Sequence, residues 1–276
     1  MAPLGLIAGA GGLPVEVARS LQAQGRPAFI VRLKGLADPA LAPWPGADIG
    51  LVELGRCVRA LRDAGCEQVC FAGVVRRPDF SALKPDLKAL RYLPGVIAAA
   101  REGDDALLRA VLGVFEKEGF AVEAVQDAAP DLLLGAGPLG GVSPTPGDQV
   151  DVAVAVAAAR EVGRTDIGQA AVARGGAVVT TEAEDGTDAM LGRLIAAASD
   201  TSGARRGVLA KIPKPAQDRR VDLPTIGPAT IERAAEAGLA GVVGEAGGLL
   251  VVEREAVRAA ADGLGLFVLG LEPAAP

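Results

Sequence analysis

The sequence predicts an α/β fold in two domains. An N-terminal Rossmann-like parallel sheet spans residues 1–131, a smaller C-terminal α/β domain spans 132–276, and a ligand cleft lies between them. Three observations carry this expectation. Short apolar runs alternate with stretches of helical spacing, the pattern of a parallel sheet covered by helices on both faces. A glycine-rich turn, Gly9-Ala10-Gly11-Gly12, joins the first apolar run to the first helical stretch. The run GAGPLGGVSPTPG, inside Pro130–Gly147, is dense in Gly and Pro and carries no charge, so it reads as an interdomain connection.

The elements follow in order. Leu4–Ala8 reads as a strand ending in glycines, and Val15–Ala23 as a helix with Pro14 suited to its first turn. Ala28–Leu33 and Asp48–Leu54 read as strands, Arg56–Ala64 as a helix, and Gln68–Ala72 as a strand closed by Gly73. Helices are expected near Asp86–Arg101 and Asp104–Glu118, with Asp104 placed as an N-cap, then a strand near Ala121–Gln126. Past the connection, Val150–Glu161 is helical, Ala170–Ala173 and Ala177–Glu182 are strands, and Thr187–Ala198 is a helix. Gly207–Ile212, Gly241–Val243, Leu249–Val252 and Leu266–Leu269 read as strands, with helices at Pro228–Ala237 and Glu255–Asp262.

Composition bounds the chemistry. The 276 residues, 50% hydrophobic and 22% charged, can bury two ordinary cores. A net charge of −6 supplies no field to draw in a polyanion, so nucleic acid is not an expected partner. There is no histidine, which excludes Ser-His-Asp triads, Cys-His pairs and HExxH sites. Cys57, Cys66 and Cys70 form neither a disulfide framework nor a complete zinc site, and read as small buried thiols of a reducing cytoplasm. No basic leader and no apolar run of spanning length is visible, so a cytoplasmic chain is expected, with peripheral membrane contact left open.

The turn at Gly9, Gly11 and Gly12 follows a strand and opens a helix, the context in which backbone amides cradle phosphate. Pro14 replaces the third glycine of the dinucleotide fingerprint, and the second strand carries Arg32 and Lys34 rather than a ribose-binding acid. An NADP-dependent oxidoreductase is therefore one reading; a tight turn without ligand is another. Arg76-Arg77-Pro78, past the Gly73 strand, either contacts phosphate or flanks a turn.

Three segments of the second half look unlike scaffold. The first is Asp166-Ile167-Gly168-Gln169. The second, Glu182 to Met190, bunches carboxylates where a strand hands over to a helix; Glu182 and Asp188 could ligate a hard cation while Thr187 caps the helix or meets phosphate. The third runs from Lys211 to Pro224. Its prolines suit a loop of fixed shape; Lys211, Lys214, Arg219 and Arg220 could neutralise a diphosphate, and Asp218 and Asp222 could hold Mg²⁺ or orient water. Solvated loops of mutually paired charges are the plain alternative for both.

Together these segments resemble the LpxI-type UDP-2,3-diacylglucosamine pyrophosphatases. The resemblance rests on Asp166–Gln169, on the D-G-T-D-A-M core ending at Met190, and on Lys214-Pro215-x-Gln217-Asp218-x-Arg220-x-Asp222-Leu223-Pro224. Gly9-x-Gly11-Gly12-Leu13-Pro14 and Gly103-Asp104-Asp105-x-Leu107-Leu108 also match; Asp185 departs from the E-G-T-D form. The resemblance implies a cytoplasmic hydrolase of lipid A biosynthesis. It would use Mg²⁺ to cleave a lipid-linked sugar nucleotide to 2,3-diacylglucosamine 1-phosphate (lipid X) and UMP. Water would attack the β-phosphorus, and the enzyme would be a homodimer; peripheral contact with the inner membrane surface is left open.

On that reading Asp222 is the essential carboxylate, with Glu182 and Asp188 next, and Asp218 joins these three as a candidate metal ligand. Gly9, Gly11, Gly12, Gln169, Thr187, Lys211, Lys214, Gln217 and Arg220 would hold the substrate. The apolar residues around Leu90–Ala100 and Leu132–Val142 are candidates to line an acyl groove, against ordinary core packing. A non-catalytic sugar-nucleotide-binding module is the remaining alternative.

Overall fold

The computed structural model describes residues 1–75, 85–165, 167–197, 205–215 and 217–273. Arg76-Arg77-Pro78, Asp166 and Ala216 lie outside the described residues. The chain forms two compact units. Met1–Asp131 together with Asp218–Asp222 make unit 1; Leu132–Gln217 and Leu223–Pro276 make unit 2.

In unit 1 the order is β1 (Leu4–Ala8), α1 (Leu13–Ala23), β2 (Ala28–Leu33), β3 (Gly46–Ile49), α2 (Leu54–Asp63), β4 (Gln68–Ala72), α3 (Leu87–Glu102), α4 (Asp104–Lys117), β5 (Ala121–Val122) and α5 (Val125–Ala128). The sheet order is β3-β2-β1-β4-β5, and every pair is parallel. All five residues of β1 are buried, as a central parallel strand covered on both faces requires. The strand order reverses between β1 and β4, the position where open α/β sheets bind ligands. Ile7, Val31, Val58, Leu61, Val69 and Phe115 form the core on one side of this sheet.

Three expectations are adjusted here. The third strand stops at Ile49, because the Glu53 carboxylate accepts a hydrogen bond from Gly50 N at 2.7 Å and turns the chain. The strand after α4 is two residues long and gives way to helix α5. Asp104 is not an N-cap: Gly103 holds that position and Asp104 is the first helical residue, where its charge meets the helix dipole.

In unit 2 the order is β6 (Gly137–Pro138), α6 (Pro146–Arg164), β7 (Ala170–Arg174), β8 (Ala177–Thr181), α7 (Gly186–Ala197), β9 (Val208–Lys211), β10 (Thr225–Ile226), α8 (Pro228–Glu236), β11 (Gly241–Glu245), β12 (Leu250–Val251), α9 (Arg254–Leu264) and β13 (Phe267–Leu271). The main sheet has the order β6-β13-β11-β9-β7-β8 and is mixed: β13, β11 and β9 run parallel, while β6 and the β7–β8 hairpin are antiparallel additions. Helix α6 begins four residues before the expected start. A capping box between Thr145 and Asp148, with Pro146 in the first turn, fixes that start. Ala155 and Ala159 of α6 pack with Ala171 and Ala210 of the sheet. Ile231 of α8 and Val257 of α9 pack in a second cluster with Leu209 and Val242.

The stretch read as a connection is partly structure. Gly137 and Pro138 pair with Gly270 and Leu269, and Leu134 is buried in the core of unit 2. Among the described residues no helix is long and apolar enough to cross a membrane.

Candidate functional site

In unit 2 the chemistry gathers at the end of the β7–β8 hairpin. Glu182 follows β8 and is 7% exposed. One of its carboxylate oxygens accepts a hydrogen bond from Gln169 N at 2.6 Å, and the other accepts from Thr187 Oγ1 at 2.7 Å. The carboxylate therefore clasps the entrance of β7 to the first turn of α7. Gly168 permits the close approach: a Cβ there would sit 2.7 Å from the Glu182 carbonyl oxygen. The backbone continues the arrangement, with Ile212 N donating to Gln169 O and Ala170 facing Lys211 across the sheet. Lys211, at the end of β9, is 8% exposed and its ammonium donates to Thr225 O at 3.1 Å. The side-chain Oε1 of Gln169 is buried and has no hydrogen-bond partner among the described residues. A buried acceptor left open beside a buried carboxylate and lysine is what a polar ligand would satisfy.

Gln217 is buried, and its Oε1 accepts from Lys214 N at 3.1 Å, which folds the Lys211–Gln217 loop on itself. Asp188 stands in the first turn of α7 with an exposed side chain. Asp185 is paired to Arg193, and that hydrogen bond holds its carboxyl below the usual range.

Unit 1 holds Asp218–Asp222. The Arg220 guanidinium forks onto the Asp218 carboxylate, Nε at 3.0 Å and Nη2 at 2.7 Å, and reaches Glu116 at 2.8 Å. The Asp218 carboxyl is thereby held below its ordinary value, and the Arg220 guanidinium above its own. Gln126 Nε2 donates to Arg219 O at 3.0 Å, and Asp218 N reaches Asp105 Oδ1 at 3.4 Å. A tight turn closes the segment, with Val221 N and Asp222 N both donating to Asp218 O. Asp222, half-buried, sits at the end of this anchored turn. Glu116 and Gln126 are anchors that sequence reasoning missed. Asp105 stood out only as part of the Gly103–Leu108 segment, without a role; it pairs with Arg109 four residues on.

The glycine turn has a structural cause. A Cβ on Gly9 would lie 2.8 Å from Val74 O, and one on Gly73, at φ +89°, would lie 2.7 Å from Ala10 O. The ends of β1 and β4 are thus drawn together, and a bridge between Ala10 and Val74 closes them. Gly11, at φ +91°, faces open space. Gly9 and Gly73 also line an apolar cavity of about 280 Å³, walled by Ile7, Tyr92, Val96 and Phe115, with Val221 among its residues. Of the two stretches offered as groove lining, Leu93 and Val96 line this cavity, whereas Leu132 and Leu134 are buried. Of the two cations behind the NADP reading, Arg32 pairs with Asp48 at 2.8 Å and donates to Trp44 O, and Lys34 pairs with Glu53 at 3.4 Å.

Among the described residues no three His, Cys, Asp or Glu side chains gather into a cage. Asp218 faces a guanidinium, and each Glu182 oxygen already accepts one hydrogen bond. The donors fit a cation of the Mg²⁺ kind only as one or two carboxylates completing a shell of phosphate and water oxygens.

Comparison with known proteins follows the same division. Residues 3–132 match the LpxI N-terminal domain and residues 135–269 the LpxI C-terminal domain. The chain is 58% identical over 276 residues to the UDP-2,3-diacylglucosamine pyrophosphatase LpxI of Caulobacter vibrioides, covering 99% of each chain. Among solved structures, CobK precorrin-6A reductase aligns over 100% of this chain and 90% of its own at 18% identity. The TM-score of that alignment is 0.34. The two domain matches, spanning nearly the full length, establish that the chain belongs to the LpxI family.

Proposed function

We propose that the protein hydrolyses the diphosphate of UDP-2,3-diacylglucosamine to 2,3-diacylglucosamine 1-phosphate and UMP, with Mg²⁺, as a step of lipid A biosynthesis. The observation that carries this is the 58% identity, over 99% of both chains, to a relative named for that pyrophosphatase activity. The reaction adds water oxygen to the β-phosphorus and breaks its bond to the bridging oxygen. UMP leaves with that oxygen, and the proton of water passes to a carboxylate.

The residues suit these demands. A diphosphate repels an oxygen nucleophile, so positive charge and alignment are what the protein must supply. Asp222 takes the proton from water; the turn closed on Asp218 O fixes its backbone. Lys211 and Lys214 neutralise phosphate charge, the open Gln169 Oε1 accepts from a substrate N–H or O–H, and Gln217 donates to a substrate oxygen. Glu182 and Thr187 hold the Gln169 amide in place. Arg220 positions the segment, through Asp218 and Glu116. Asp222 is the first candidate to hold Mg²⁺ and Asp188 the next; the ion, when bound, would withdraw charge from the diphosphate. The cavity of unit 1 takes an acyl chain. A cytoplasmic homodimer acting on a membrane-borne substrate completes the proposal.

Phosphorus NMR in ¹⁸O-labelled water tests it. The expected result is cleavage with label in the lipid phosphate. Label in UMP moves the attack to the α-phosphorus, and an intact diphosphate ends the reading.

A further inference from the structure

We infer that helix α3 is an interfacial helix whose outer face docks on an anionic lipid surface. A helix packed on a soluble core turns a polar face to solvent. Helix α3 does not. Its inner face, with Tyr92, Leu93 and Val96, lines the apolar cavity. Its outer face carries Leu87, 88% exposed, Leu90, 51% exposed, and then exposed Pro94 and Ala98, spaced to fall on one stripe. That stripe borders an open groove of about 360 Å³, and Leu93 belongs to both the groove and the cavity.

Charge identifies the occupant. The chain as a whole carries −6, yet α3 holds three cations (Lys88, Arg91, Arg101) against one carboxylate (Glu102); Lys88 is paired to Glu118 at 2.6 Å, which leaves the two arginines to face the surface. Arg91 and Arg101 are exposed beside the apolar stripe. This is the composition of a helix lying in the headgroup region, with apolar residues below and arginines on lipid phosphates. Antiparallel two-fold pairing centred on the middle of α3 would bring Arg91 of each molecule near Arg101 of the other, a like-charge contact. The cavity lining adds two further exposed apolar residues, Leu51 and Val75, at 40% and 41%.

The purpose of such a face rests on the proposed function, since a diacyl substrate resides in a bilayer, but its test uses no substrate. The full chain is floated with phosphatidylcholine vesicles and with vesicles containing one quarter phosphatidylglycerol. Binding to the anionic vesicles is expected, at least tenfold weaker without phosphatidylglycerol or in 0.5 M salt. The Leu90→Asp/Ala98→Asp variant should lose it at least tenfold with an unchanged circular dichroism spectrum and Tm. Absence of wild-type binding overturns the inference, as does equal binding by the variant. So does a wild-type dimer that the variant splits in light scattering, which would give the face to a second copy. If the variant fails to fold, Arg91→Glu/Arg101→Glu replaces it, and anionic binding undiminished in that variant overturns the inference. Vesicle binding by a protein that cleaves no diphosphate would leave this inference standing and remove the function proposed above.

Discussion

Arg220 and Asp218, two residues apart, face each other through a forked ion pair, and the same guanidinium reaches Glu116 of α4 at 2.8 Å. The pair fixes the turn that ends in Asp222. Arg220→Ala should therefore cost little stability, about 1 kcal/mol or less for a pair this exposed. Turnover should fall at least tenfold. Arg220→Lys, which cannot fork, should recover only part of the rate. Thermal denaturation alongside steady-state rates checks both.

The same pair sets an acid limit. Its hydrogen bond to Arg220 lowers the Asp218 carboxyl from the ordinary carboxylate range. A lowered folded pKa gives stability that is present above the unfolded value and lost as pH falls through the folded one. Wild-type protein should hold this segment below pH 4, and Arg220→Ala should lose it nearer the ordinary value. Amide exchange at Val221 and Asp222 across pH 3 to 5 reads the difference.

Glu182 is a clasp as well as a candidate site residue. Glu182→Ala leaves the buried Gln169 amide without its acceptor and should destabilise unit 2 by about 2–3 kcal/mol. Thr187→Val removes one hydrogen bond and should cost about 1 kcal/mol. Urea denaturation checks the ranking, and equal costs would contradict the clasp.

Burial pushes the Cys57 and Cys70 thiols up to about 12 and the Cys66 thiol to about 11. The unfolded chain ionises its thiols near about pH 8.5. Above that pH the unfolded state has lost protons the folded state keeps, so stability should fall as pH rises towards 11–12. The slope is at most about 1.4 kcal/mol per pH unit for each of Cys57 and Cys70. A thiol reagent at pH 8 should label none of the three in native protein and all three in denaturant.

The sequence made much of this readable, and the reasons for the remainder are physical. Strand β1 is a continuous apolar run, and β2 and β4 each hold four apolar residues in succession, Ala28–Val31 and Val69–Ala72, so their pattern survives any partner. Pairing of Gly137-Pro138 with β13 is a backbone contact at a sheet edge, which neither side chain announces. Glu182 and Thr187 are five residues apart and stood out together, but Gln169 meets them only through the β7–β8 hairpin. The grouping of Asp218–Asp222 with unit 1 depends on Glu116, Asp105 and Gln126, around a hundred residues away in sequence. The turn at Gly9 resembled a phosphate cradle, whereas its close backbone approach to Val74 explains the glycine without a ligand.

The role of Asp222 in the proposed chemistry is the point on which the account turns. Single-turnover hydrolysis of UDP-2,3-diacylglucosamine, followed by phosphorus NMR in wild-type protein and in Asp222→Ala, measures it directly. The account predicts that the variant keeps its Tm, binds substrate and cleaves at least about 100-fold more slowly, the usual worth of a positioned proton acceptor. Cleavage at the wild-type rate by a folded Asp222→Ala protein would contradict it.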